Sequence, residues 1–269
     1  MCRWLAYRGQ SVALETILMD PEHSILDQSR HAEFTNFEIN GDGFGIGWYG
    51  RRSTPGVFHD VRPAWNDRNL RSVAAHIRSP LFMAHVRATT GSPVSRSNCH
   101  PFSHGSWLFA HNGQIGGFDR LKHRLDCQVS PAIYAQRVGT TDTETMFQLA
   151  LTFGLEEDPI GGVLRMIERV ESDREKEGAT EPFHMTVALA NGEDLWAFRH
   201  SSDDNPPSLY YSAPEAKLRD ADGEHFTLEA GSALVLSEPL DRDPENWIEV
   251  EPESRLTLQA GEVQVERLF

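Results

Sequence analysis

The sequence has little cysteine: Cys2, Cys99 and Cys127 are the only three in 269 residues. They are too few and too scattered for a disulfide framework, and they read as reduced thiols. It lacks any apolar run near the roughly 18 residues that a bilayer span requires, and Met1-Cys2-Arg3-Trp4 lacks the basic-then-apolar layout of a signal peptide. No membrane association is expected, and the cytosol is the expected location. Basic charge is also scarce: 25 Lys and Arg stand against 40 Asp and Glu, for a net charge of −15. That balance opposes attraction to phosphate backbones, so nucleic acid is not an expected partner. Internal repeats and low-complexity tracts are missing too. The proline-bearing stretches Asp203-Asp204-Asn205-Pro206-Pro207 and Asp241-Arg242-Asp243-Pro244 have the length of loops, not of interdomain linkers. One domain over 1–269 is the simplest organisation.

The composition is 39% hydrophobic and 24% charged, which suits a globular chain long enough to bury a substantial core. Cys2 to Tyr7 alternates as a strand, and Ala13 to Met19 reads as a short helix ended by Asp20-Pro21. Asn40-Gly41-Asp42-Gly43-Phe44-Gly45-Ile46-Gly47-Trp48-Tyr49 has glycine at every second position over four glycines. That pattern predicts a strand with one face against another backbone or a ligand. A phosphate loop is the competing reading, and it lacks the following lysine and helix. Asn66 is a candidate cap for a helix through Ile77, and Leu81 to Ala88 and Ser106 to Ala110 look like buried strands. Helical periodicity returns from Phe118 to Leu125, Thr143 to Thr152, and Ile160 to about Arg174. Strands resume at His184 to Ala190, Leu195 to His200, Ser208 to Ser212 and Ala233 to Ser237, with weaker candidates up to Leu268. Strands, then helices, then strands imply an α+β fold.

Cys2 carries the sharpest chemical suggestion. Methionine aminopeptidase acts when the second residue is small, so removal of Met1 leaves a thiol and a free α-amine on one residue. An α-amine titrates near about 7.7 to 8.0 and can serve as the base for its own thiol. The alternative is a cysteine that falls at position 2 by accident. His111-Asn112-Gly113-Gln114-Ile115 follows the apolar strand Trp107-Leu108-Phe109-Ala110 and offers an Asn side-chain amide and a Gly N–H at a strand end. Two such donors suit an oxyanion hole, although Asn-Gly is equally the mark of a hairpin turn. Arg87, within His85-Val86-Arg87-Ala88-Thr89-Thr90-Gly91, can clamp an α-carboxylate bidentately, or it can sit in a surface ion pair. Asp142, within Thr141-Asp142-Thr143-Glu144, can receive an α-ammonium, or it can cap a helix.

Taken together, Cys2, Arg87, Asn112-Gly113 and Asp142 resemble, in order along the chain, the class II glutamine amidotransferases of the N-terminal-nucleophile hydrolase superfamily. The phrases Asn40-Gly41-Asp42-Gly43-Phe44-Gly45 and Asn98-Cys99-His100-Pro101-Phe102 resemble the compact stand-alone members, among them the γ-glutamyl amidohydrolase of ergothioneine biosynthesis. The resemblance implies a four-layer α/β/β/α sandwich with two facing antiparallel sheets. It implies Cys2 as nucleophile and, through its amine, as acid and base, with Asn112 and Gly113 as the oxyanion hole. Arg87, Thr89 and Asp142 would bind glutamine or a γ-glutamyl amide, with His100 nearby and Asn40 and Gly41 along one side. No cofactor is called for. Two departures stand out. The large amidotransferases have a longer loop after the arginine, with Trp following it and His before the glycine, where this chain has Ala88 and Thr90. They also carry Arg-Gly where this chain has Asn40-Gly41, which removes a positive charge from the pocket.

Two rivals accompany this reading. Cys99, His100, His104 and His111 offer four zinc ligands within 13 residues, at an unorthodox spacing for a metallohydrolase site. The second rival is an ammonia-donating subunit that works only with a separate synthase partner, a reading that its acidic surface would suit.

Overall fold

In the computed structural model, residues 2–33, 39–89 and 91–269 are described; Met1 and Thr90, both invoked above, lie outside them. The first half of the chain forms strands β1 (Arg3–Ala13), β2 (Phe44–Trp48), β3 (Gly56–Asp60), β4 (Arg78–Val86), β5 (Phe102–His104) and β6 (Trp107–Ile115). Helices α1 (Leu14–Leu18), α2 (Ile25–Gln28) and α3 (Arg68–His76) interleave with them, and α4 (Phe118–Asp126), α5 (Pro131–Tyr134), α6 (Asp142–Thr152) and α7 (Pro159–Glu177) follow. Strands then return as β7 (Phe183–Ala190), β8 (Leu195–Ser201), β9 (Tyr210–Ser212), β10 (Lys217–Arg219), β11 (His225–Thr227) and β12 (Ala233–Leu236). The last strands are β13 (Trp247–Glu249), β14 (Ser254–Gln259) and β15 (Glu262–Arg267).

Two sheets carry the fold, a seven-stranded one ordered β13-β9-β12-β1-β4-β2-β3 and a six-stranded one ordered β15-β14-β8-β7-β6-β5. Every pairing in both is antiparallel. The side chains separate into three apolar clusters because successive residues of a strand face opposite ways. Trp4, Ala6, Leu81, Met83, Leu108, Ala110, Ala188 and Ala197 pack between the sheets. Leu5, Tyr7, Phe82 and Ala84 face outward onto α1, α2 and α3, through residues such as Leu14, Ile17, Ile25 and Leu70. Phe109, Val187, Leu189 and Phe198 face the other way, onto α4, α6 and α7. Three apolar interfaces make four layers, α/β/β/α, the architecture that the resemblance implied.

Local signals placed most elements and erred mainly at boundaries. The helix read from Asn66 is capped by Asp67, whose carboxylate accepts from the Leu70 amide at 2.7 Å. The glycine alternation does mark a strand pressed on its neighbours: a Cβ on Gly45 would lie 2.1 Å from the His100 carbonyl oxygen. The larger correction is at Asn112-Gly113, which is neither a hairpin turn nor a strand end. β6 runs on to Ile115, with Asn112 opposite Thr186 and Gly113 opposite Met185 of β7.

Candidate active site

Cys2 immediately precedes β1, and the register that sets Arg3 opposite Val86 brings it beside the end of β4. Its thiol lies 3.4 Å from the amide nitrogen of Ala88 and 3.4 Å from the carbonyl oxygen of the same residue. Burial pushes the thiol pKa up, against the opposing pull of the Ala88 amide and of the Arg87 and Arg3 guanidinium groups. Cys2 opens onto a cleft of ≈ 150 Å³ that it shares with Arg87, Thr89, His100, Gly113 and Asp142.

Arg87 follows the last residue of β4 and is buried. Its Nη2 donates to Ser92 Oγ at 2.6 Å, while Nη1 is buried without a partner. Half of the guanidinium fork is therefore anchored and half is unengaged, which suits it to an anion entering the cleft. Thr89 is tied down by its amide, which donates to Asp42 Oδ2 at 2.8 Å, and by its hydroxyl, which donates to the Ser92 carbonyl at 2.6 Å.

Gly113 sits in β6 at φ 141°, and a Cβ there would lie 1.9 Å from the His184 carbonyl oxygen, so the position admits only glycine. Asn112 does not line the cleft itself. It is 1% exposed, and both atoms of its side-chain amide lack a partner among the described residues. By strand alternation Asn112 faces the gap between the sheets, as Leu108 and Ala110 do, and Cys2 continues the Trp4 and Ala6 side of β1 into the same gap. Trp4 bridges the two sheets there: its indole N–H lies 3.2 Å from both the carbonyl and hydroxyl oxygens of Thr186, and Thr186 Oγ1 donates to the Asn112 carbonyl at 3.4 Å.

Asp142 is the first residue of α6, not its cap. Thr141 is the N-cap and accepts from the Glu144 amide at 3.2 Å. Asp142 instead receives the Ile115 amide at 2.9 Å on Oδ2 and the Thr143 amide at 2.8 Å on Oδ1, which aims it from the helix start toward the end of β6. His100 lines the cleft with Nδ1 3.1 Å from the His111 carbonyl oxygen, and its ring packs 4.1 Å from that of His85. Burial, then the neighbouring His85, His111 and Arg87, hold His100 neutral, well below its usual pKa. Burial likewise takes His85 down to about 3.

Not every expected residue joins the cleft. Asn40 and Gly41 stand apart from its lining: the Asn40 backbone N–H donates to the Ser29 carbonyl at 2.8 Å, its side-chain amide is buried with no partner among the described residues, and Gly41 abuts the Trp65 ring. Their segment reaches the site through Asp42 and through the Gly43 carbonyl, which accepts from the Arg87 backbone N–H at 2.9 Å. The zinc reading fails on geometry. Cys99 turns its thiol to the Asp60 and Ser95 carbonyls, the His100 ring is engaged with the His111 backbone, and the His111 ring is engaged with the Thr143 hydroxyl and the His184 carbonyl. Among the described residues no group of three or more His, Cys, Asp or Glu is arranged to hold a metal ion. Sequence reasoning passed over Ser92, Thr141, Thr143, Gln114 and His184, which also line the cleft. Thr141, Thr143 and Gln114 lie inside quoted motifs, whereas Ser92 and His184 carry no local signal.

Comparison with known proteins agrees with this geometry. The sequence model described as "Glutamine amidotransferases class-II" matches residues 28–267. The chain is 31% identical to the probable glutamine amidotransferase DUG3 of Saccharomyces cerevisiae, over 96% of this chain and 82% of that protein. It is 36% identical to the γ-glutamyl-hercynylcysteine sulfoxide hydrolase of Mycobacterium tuberculosis, over 43% of this chain and 50% of that one. Among solved structures, the glutamine aminotransferase class-II domain protein of Silicibacter pomeroyi superposes with a TM-score of 0.75 at 35% identity, covering 100% of both chains. The glutamine phosphoribosylpyrophosphate amidotransferase of Bacillus subtilis shares the fold, with a TM-score of 0.66 at 16% identity over 100% of this chain and 49% of that one. The chain belongs to the class II glutamine amidotransferases.

Proposed function

We propose that Cys2, made the first residue by removal of Met1, attacks the γ-carbonyl of glutamine or of a γ-glutamyl compound. Its α-amine takes the thiol proton, the sulfur bonds to the carbonyl carbon, and the amine then passes the proton to the leaving nitrogen as the C–N bond breaks. Ammonia or an amine departs and leaves a γ-glutamyl thioester. Water hydrolyses the thioester to glutamate and restores the thiol. Asn112 Nδ2 and the Gly113 N–H hold the oxyanion in both steps, a contribution of about 3 to 4 kcal/mol per donor. Arg87 pairs with the α-carboxylate and Asp142 with the α-ammonium, beside Thr89 and His100.

The observation that carries this reading is that Cys2, Arg87, Gly113 and Asp142 share one cleft, with the unpartnered Asn112 amide behind Gly113. The name of the mycobacterial relative supports extending the substrate class to γ-glutamyl compounds. The test combines intact mass of the purified protein, ammonia release from glutamine, and glutamate release from a panel of γ-glutamyl amides. Activity should track the fraction of chain that lacks Met1, and Cys2→Ala should abolish both releases. Turnover by a chain that retains Met1 or lacks the thiol would end the proposal.

A further inference from the structure

The carbonyl of Cys2 is gripped by a chain of charged groups that runs through the interior to the surface. Arg3, 1% exposed, donates from Nη1 to the Cys2 carbonyl at 3.0 Å and from Nε to Glu238 Oε2 at 2.7 Å. Glu238 is buried two residues beyond the end of β12 and is held against β1 by its neighbour: the Ser237 amide donates to the Trp4 carbonyl at 2.9 Å. The other carboxylate oxygen of Glu238 lies 2.7 Å from His23 Nε2 and accepts from the Glu33 amide at 2.8 Å. His23 Nδ1 is in turn 3.0 Å from Asp27 Oδ2, and the Asp27 side chain is 42% exposed.

A first residue is tethered at one end only, so rotation about its Cα–C bond swings amine and thiol together. A hydrogen bond to its carbonyl opposes that rotation. The same guanidinium places positive charge beside the terminus. That charge opposes the burial-driven rise of the thiol pKa, and it disfavours the ammonium form of the adjacent amine. A buried ion pair is weak evidence for stability, because apolar residues of similar size often serve as well. The placement of this one, against the reacting residue, fits a different task.

We infer that Arg3 and Glu238 are positioning residues that fix the Cys2 main chain and set the proton affinity of its amine and thiol, and that His23 couples surface charge into that pair. The inference rests on Cys2 as nucleophile, as proposed above. Among the described residues the other charged groups at the terminus are Arg87 and, across the cleft, Asp142, with His100 and His111 held neutral. Around His23 stand Glu238, Asp27 and Glu33, with His31 beside Asp27 and Arg242 paired to Glu33. Burial pulls His23 down, but its bonds to Glu238 and Asp27 outweigh that and raise its pKa. Its charge therefore persists to higher pH than on a free imidazole and is given up as pH rises through the raised value.

The experiment uses the processed full chain and three variants: Arg3→Met, Glu238→Gln and His23→Gln. Two profiles are recorded against pH: kcat/KM for glutamine, and the rate of Cys2 alkylation by iodoacetamide, read by peptide mass with the exposed Cys127 as internal reference. Glu238→Gln should move the acid limb and the alkylation midpoint down by about half a pH unit or more, since it uncovers the Arg3 field. Arg3→Met should move both up, and His23→Gln should move the acid limb up by less while leaving the alkylation midpoint, where the imidazole is already neutral, near the parent value. Coincident profiles overturn the inference, and so do shifts of one sign in Arg3→Met and Glu238→Gln, which would report general loosening. Where loss of a buried partner unfolds the chain, His23→Gln decides alone: an upward shift of the acid limb of kcat/KM supports the inference and an unmoved limb overturns it. Cys2→Ala separates the two claims. Activity that survives it sinks the nucleophile reading, whereas loss of activity beside unmoved profiles sinks only the inference about Arg3, Glu238 and His23.

Discussion

The Cys2 thiol rests 3.4 Å from the Ala88 amide nitrogen, and Ala88 is bonded directly to Arg87. The antiparallel pairing of β1 with β4 thereby places Cys2 beside the residue that follows Arg87, at the same end of the sheet.

Asn112→Ala separates catalysis from stability. The side-chain amide is buried and makes no hydrogen bond, so its removal deletes an unsatisfied polar group, which costs about 1–3 kcal/mol when buried. That gain offsets the small cavity. We expect kcat to fall by about 10² to 10³ with little change in KM and no loss of thermal stability. Steady-state kinetics beside thermal unfolding checks it, and a fall in stability that parallels the fall in rate counts against the oxyanion role.

Gly113→Ala strikes both. The backbone is at φ 141° and the added methyl would meet the His184 carbonyl oxygen at 1.9 Å, a backbone atom that cannot step aside. A destabilisation of more than about 2 kcal/mol is expected in urea titration.

Ser92→Ala removes the 2.6 Å acceptor for Arg87 Nη2 and loosens the fork without touching the sulfur. The KM for glutamine should rise about 5- to 10-fold while kcat stays near the parent value, the cost of one hydrogen bond. Asp142→Asn should raise KM further while retaining an acceptor for the Ile115 or Thr143 amide. A matching fall of kcat in both variants would place these residues in the chemical step instead.

Acid should unfold the protein through its buried histidines. The folded-state pKa of His85 is down at about 3, and that of His100 is also far below the ordinary value. A depressed folded-state pKa means that stability is complete above about 6.5 and is lost as pH falls from there toward the folded value, by up to about 1.4 kcal/mol per unit for each such ring. Unfolding free energy measured from pH 7 to pH 4 should show this slope, and His85→Leu should reduce it by one proton. An unchanged slope in that variant would mean that the ring already carries its proton in the folded protein.

Alternation along β1 and β6 and the 3.6-residue period of α6 and α7 are local, so these elements and the α+β class were legible from residue order. The ordered set Cys2, Arg87, Asn112-Gly113 and Asp142 was legible too, because each sits in a short phrase with its own chemistry. Asn112-Gly113 was ambiguous for a physical reason: a hairpin and a strand interior present the same dipeptide, and the strand that decides between them, β7, lies more than 60 residues further along. Asn40 and Gly41 were drawn into the pocket by their neighbourhood in the chain, while the fold ties the Asn40 backbone N–H to the Ser29 carbonyl and sets Gly41 beside the Trp65 ring.

Residue order by itself determined which groups this protein possesses and the periodicity of the elements that carry them. Only the tertiary structure decided that Ser92 anchors Arg87, that Glu238 reaches Arg3 across 235 positions, and that the Asn112 amide is left without a partner. Periodicity records which face of an element is apolar; it holds no information about which distant polar atom meets another once two such faces have been pressed together.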